Sequence, residues 1–166
     1  MIVTKPRTKQ EKKLQTVAEA DLRAGLAIFN GLSKVIRTWN PMIAAMEAGS
    51  GSQSSIGAKA LARSQQAAGD AVYRYLGALP ICFTVQAVKK ASTGKLAADK
   101  QEIEAAVRSF WAGTDLDELL KTPPPYLEQG QKVPPRGKWA DAFDALSVAH
   151  AARDHASVAA ARRMAA

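Results

Sequence analysis

Apolar residues recur at steps of three and four along most of this 166-residue chain, and no stretch alternates with period two for long. The first run, roughly 10–39, shows this most fully. Leu14, Val17, Ala18, Leu22, Leu26, Phe29, Leu32, Ile36 and Trp39 fall on one helical face. Much of the apolar content is alanine, which favours helix over strand. The pattern predicts an all-α fold, a compact bundle of about five to six helices in one domain spanning 1–166. A chain of this length buries a core without disulfides or metal.

Breaks in the pattern set the expected elements. Asn40-Pro41 supplies a cap and a first-turn proline, predicting a short helix over "PMIAAMEA". "GSGSQSS" (49–55) reads as a flexible run of small residues. The next helix is predicted over 56–79, with Ile56, Ala60, Leu61, Ala68, Val72, Tyr75, Leu76 and Leu79 on its apolar side. Pro80 either kinks it or opens a new helix running to Ala91, in which Ile81, Phe83, Val85 and Val88 close over the core. A further helix is expected from Ala97 to Ala112, with Ile103, Val107, Phe110 and Trp111 inward, and Thr114 with Asp117 resembles a capping box. Residues 122–137 carry five prolines in 16 positions and read as an extended connection over the surface. A last helix is predicted over 138–164, with Trp139, Phe143, Leu146 and His150 on one stripe.

Reactive groups are sparse. Cys82 is the one cysteine, so no intrachain disulfide forms and a reducing compartment is expected. Set between Ile81 and Phe83, it reads as a small buried hydrophobe. The N-terminus has charge but no apolar signal core, and no run approaches the length of a membrane span. The expected location is the cytoplasm, with no membrane partner. His150 and His155 stand five apart and do not share a helical face. "GSGSQSS" lacks the Lys-Ser/Thr ending of a phosphate loop. Asp115, Asp117 and Glu118 read as acids at a helix N-terminus, where the dipole favours them, rather than as a metal site. No cofactor, metal or catalytic constellation is expected, which argues against an enzyme.

Positive charge is better organised. The chain carries a net +8, and residues 1–100 hold 15 Lys/Arg against 6 Asp/Glu, while the remainder holds 8 against 9. Such asymmetry predicts one side that meets a polyanion. Lys12, Arg23, Asn30, Lys34 and Arg37 occupy a narrow sector of the first helix. Lys59, Arg63 and Arg74 share a side of the next, and Lys89-Lys90 stand near a helix C-terminus. Cations at one-turn or two-turn intervals suit backbone phosphates and need no base contacts, so RNA or DNA bound without sequence preference is the expected ligand. Tyr75 fits the apolar side with Leu79, which leaves Tyr73 beside the basic one, where structural packing is the expected role and stacking on a nucleobase the alternative.

The stretch "YRYLGALPICFTVQAVKK" (73–90) resembles a segment of the small helical subunits of multisubunit CRISPR effector complexes. A tyrosine, a leucine three residues on, a Leu-Pro pair and a following apolar run carry the resemblance, over about 20 residues. Phe83-Thr84-Val85 stands where that family has an Asn-Gly-Leu turn, and the tail after 122 has no counterpart. The resemblance implies a non-catalytic ribonucleoprotein subunit, present in several copies beside other protein subunits, that lines a groove for guide–target duplex or displaced strand. The alternative is a protein–protein adaptor, such as a phage-encoded inhibitor or a scaffold piece, for which the proline-rich loop and flat alanine faces are suited.

Overall fold

In a computed structural model, residues 8, 10, 16–49, 55–116, 118 and 140–165 are described. Among the described residues, six helices and two short strands follow in chain order. They are α1 (Val17–Trp39), β1 (Ala45–Ala48), α2 (Ser55–Leu76), β2 (Ile81–Thr84), α3 (Val85–Thr93), α4 (Lys100–Phe110), α5 (Ala140–Ala152) and α6 (Ala156–Ala165). The chain is mostly helical, as its periodicity requires. The proline-rich connection, residues 50–54 of the "GSGSQSS" run and Asp117 of the expected capping box lie outside the described residues, as do Trp139 and Lys12.

Contacts gather into two compact units. One comprises the described part of Met1–Ala44 with Ala48–Cys82, the other Ala45–Glu47 with Phe83–Ala166.

The first unit is built on α1 and α2. Helix α1 opens with a capping box: the Glu19 amide donates to the Thr16 hydroxyl, and the Thr16 amide donates to the Glu19 carboxylate at 2.9 Å. It closes on Asn40, whose left-handed backbone (φ 43°) lets its N–H reach the Ile36 carbonyl at 2.8 Å. Asn40 therefore ends one helix instead of starting another. The short helix expected over "PMIAAMEA" is replaced by β1, which pairs with β2. Ladder hydrogen bonds to a β-prone partner override the weak helical preference of so short a segment. Residues that meet between α1 and α2 rise in number together. Asp21 pairs with Arg63, Gly25 faces Ala67, and Tyr75 reaches the stretch from Phe29 to Thr38. The two helices thus run parallel.

The helix expected to run through 79 stops at Leu76. Gly77 adopts φ 67°, a conformation open to glycine, and its N–H caps the Tyr73 carbonyl at 2.9 Å. Pro80 is buried, and Ile81–Thr84 form β2 rather than a helix. Proline biases its predecessor toward extended backbone, and Ile-Cys-Phe-Thr is a β-favouring run. Ile81 and Phe83 turn inward while Cys82 is exposed, so the cysteine is not the buried hydrophobe expected of it. Period-two alternation over four residues decides its face.

In the second unit, Thr84 caps α3, its hydroxyl accepting from the Ala87 amide at 3.1 Å. Helix α4 begins with a second capping box, Asp99 with Glu102. Ala98, Ile103, Val107 and Phe143 form the core, with Trp111, Ala142 and Leu146 packed against it. The Arg108 guanidinium lies 4.9 Å from the Phe143 ring centroid and pairs with Glu104 one turn back. Phe110, expected inward, is 44% exposed but stacks flat on His150 at 3.7 Å between centroids. The single helix expected over 138–164 is broken at 153–155. Arg153 pairs with Asp154 through side chains, and the His155 ring nitrogen Nδ1 accepts from the Ser157 amide, a side chain taking over a backbone group where α6 begins. Among the described residues no helix is long and apolar enough to cross a membrane.

Candidate nucleic-acid interface

Helix α1 buries only part of the face its periodicity marks out, Ile36 but not the leucines before it. Leu22 is 74% exposed and Leu26 59%, while Ser33 and Ile36 are buried. Contact with α2 falls along the line Asp21, Gly25 and Phe29, one residue round from the leucine stripe. Between the helices lies a groove lined by Leu22, Leu26, Phe29, Ala67 and the Asp21–Arg63 ion pair, with Asp70 beside them. This groove holds two carboxylates against one guanidinium and does not favour an anion. Arg63, placed by spacing among the phosphate-binding cations, is engaged by Asp21 from across the helix pair.

The C-terminal half of α1 is different. Phe29, Asn30, Ser33, Lys34, Arg37 and Thr38 line a recess of about 420 Å³ that Tyr75 of α2 completes. Lys34 and Arg37 are exposed, and neither makes an ion pair with a described residue. Three residues apart, they lie on neighbouring turns of one face, their charges uncompensated by any described residue. Asn30 and Thr38 add polar groups, and the Tyr75 ring forms a wall. The aromatic residue that joins the cations is therefore Tyr75, while Tyr73 is 59% exposed and does not line the recess. A residue count cannot find this, because Tyr75 and Lys34 become neighbours only when α2 runs parallel to α1.

The Ser33 hydroxyl is buried with no hydrogen-bond partner among the described residues. Two other helical serines bond back one turn, Ser64 to the Ala60 carbonyl at 2.9 Å and Ser147 to the Phe143 carbonyl at 2.8 Å, while buried Ser92 of α3, like Ser33, has no partner among the described residues. Ser33 makes no such bond.

Of the remaining sequence-predicted cations, Arg23 lies on the same face of α1, about 16 Å N-terminal to Lys34 along the axis. Its charge helps hold the Glu19 carboxyl below its ordinary range, after the larger effect of the Thr16 hydrogen bonds. Lys59 and Arg74 are exposed on α2. Lys89 and Lys90 belong to α3 in the second unit, where Lys89 acts electrostatically on Glu47 and Glu102. A smaller recess in that unit is lined by Ala45, Met46, Glu47, Asp144, Ala145 and Val148. Burial raises the Glu47 carboxyl above its ordinary value, and the nearby Asp144 charge adds to this, opposed by Lys100 and Lys89. Asp144 itself pairs with Lys100 at 3.3 Å. Among the described residues no three His, Cys, Asp or Glu side chains gather as a metal site would need.

No family model matches the chain, and no curated protein matches it. A structure described as that of Thermus thermophilus RuvC has a similar fold: the TM-score is 0.57 at 21% identity, covering 84% of this chain and 74% of that one. RuvC is a nuclease. The likeness overturns two expectations drawn from the sequence, that the protein is a non-catalytic ribonucleoprotein subunit and that it is no enzyme. The sparse catalytic motifs that prompted them do not separate this fold from that of an enzyme.

Proposed function

We propose that this protein binds nucleic acid through its sugar–phosphate backbone, using the basic face of α1. One observation carries the reading: Lys34 and Arg37 stand together without carboxylate partners among the described residues, beside the polar groups and aromatic wall of one recess. Arg23 extends the same face toward the N-terminus, so a strand lying along α1 meets cations at both ends of the helix. Backbone phosphates supply affinity without sequence preference, and cations released from them make binding strongly salt-dependent. A similar fold in RuvC, a nucleic-acid enzyme, agrees with such a ligand. The reading concerns binding and assigns no catalytic step to the described residues. A lone exposed cysteine suits a reducing compartment, and the cytoplasm is the proposed location.

The test is fluorescence anisotropy with a labelled single strand and a labelled duplex across a salt series. Replacing Arg23, Lys34 and Arg37 together by Gln is expected to weaken binding and flatten the salt dependence by about one unit of slope for each phosphate no longer neutralised. The control is Arg162→Gln with Arg163→Gln in α6. Equal weakening by both sets, or no binding by the unaltered protein at low salt, would refute the proposal.

A further inference from the structure

A backbone-binding face needs only exposed cations, and the recess at the end of α1 offers more than that. We infer that it receives the phosphorylated end of a nucleic-acid strand, a terminal phosphate monoester with its nucleotide, rather than an internal phosphodiester. The inference rests on the nucleic-acid reading above and names the part of the ligand that this recess takes.

Charge points to a monoester. An internal phosphodiester carries one negative charge, while a terminal phosphate carries between one and a half and two near neutral pH. Lys34 and Arg37 place two cations at one spot, and no described residue neutralises either. A single diester matches the charge of one of them, while a monoester matches that of both. Elsewhere on α1 the pattern is the opposite: Arg23 is exposed, has no second cation within a turn among the described residues, and feels the Glu19 carboxylate four residues away. That arrangement fits an internal phosphate in passing.

Shape and hydrogen bonding point the same way. A continuous strand enters and leaves any contact, so its internal phosphates are met on open faces. A recess of about 420 Å³ has the size of a small-ligand pocket, enough for one nucleotide. The extra oxygen of a monoester needs donors beyond the two cations. Asn30 and Thr38 line the recess, and so does Ser33, 7% exposed, whose hydroxyl has no partner among the described residues. A buried hydroxyl without a partner is unfavourable, and a ligand in the recess that accepts from it relieves that cost. The rings of Phe29 and Tyr75 supply apolar surface against which the terminal base packs.

The experiment compares three labelled strands of one sequence by anisotropy with the full-length protein at fixed salt: one with a 5′-phosphate, one with a 3′-phosphate and one with hydroxyls at both ends. One of the phosphorylated strands is expected to bind about tenfold tighter than the hydroxyl strand, the scale of one added charge-assisted hydrogen-bond set. Which of the two gains identifies the polarity. In Ser33→Ala and Tyr75→Ala the preference is expected to shrink toward one, while Arg23→Gln weakens all three strands alike and leaves the ratio intact. Equal affinity for all three strands by the unaltered protein would overturn the inference and leave backbone binding standing. Binding to none would overturn both. A preference that persists unchanged in correctly folded Ser33→Ala and Tyr75→Ala, checked by circular dichroism, would place the end-binding site elsewhere and overturn this assignment.

Discussion

Replacing Gly49 with alanine tests the packing that makes α1 and α2 parallel neighbours. The chain returning from α1 passes over α2 at Gly49. A Cβ there would fall inside the contact distance of Leu61 Cδ2, and 3.0 Å from both Leu61 Cγ and Gln65 Nε2. Carbon–carbon contacts are favourable near 3.5–4.0 Å. Turning the Leu61 methyl groups relieves the first clash but leaves Cγ in place, so the whole side chain or the strand must move. Overpacking of this kind costs about 1–3 kcal/mol. Leu61 sits at the edge of exposure, which lets it yield toward solvent and favours the low end. Gly49 is not among the described glycines of positive φ, so alanine is not strained there and gains about 0.4–1 kcal/mol by restricting the unfolded chain. The expected net loss is about 1 kcal/mol, a fall of roughly 2–4 °C in Tm at this chain length. Urea unfolding followed by circular dichroism measures it. The double variant Gly49→Ala with Leu61→Ala should recover most of the loss relative to Leu61→Ala alone. Were Gly49→Ala as stable as the parent, with no coupling to Leu61, the returning chain would not press on α2.

Two further outcomes follow from the second unit. Burial holds the Glu47 carboxyl above its ordinary value of 4.5, so folding favours its protonated form. Stability from this group is full below the unfolded value and lost as pH rises through 4.5 to the raised folded value. Glu47→Gln should therefore gain more over the parent at pH 7 than at pH 4 in urea midpoints, and a larger gain at pH 4 would show the sign to be wrong. Val107 is fully buried in the α4 core, and Val107→Ala should cost about 2 kcal/mol in unfolding free energy; a cost under about 0.5 kcal/mol would mean that the core closes over the gap.

Helix content was legible in the chain because periodicity acts within a few residues. The threes and fours from Val17 to Trp39 mark α1, and Ile103 with Val107 marks the buried side of α4, whereas the Thr16–Glu19 box at the start of α1 was not read from the sequence. The cations of the candidate site were legible too, since Arg23, Lys34 and Arg37 share a helical sector by spacing alone. Three things were not. Residues 45–48 and 81–84 are too short for local preference to prevail, and each becomes a strand because the other lies beside it. Which of the cations stays uncompensated depends on contacts remote in sequence: Arg63 is taken by Asp21, 42 positions away, while Lys34 and Arg37 meet no carboxylate among the described residues. The recess exists only because α2 runs alongside α1 in the same direction and carries Tyr75 to Phe29 and Thr38. Spacing along a helix fixes which side chains share a face, but what that face meets is a property of packing, and here packing leaves Leu22 and Leu26 in the open and buries the hydroxyl of Ser33.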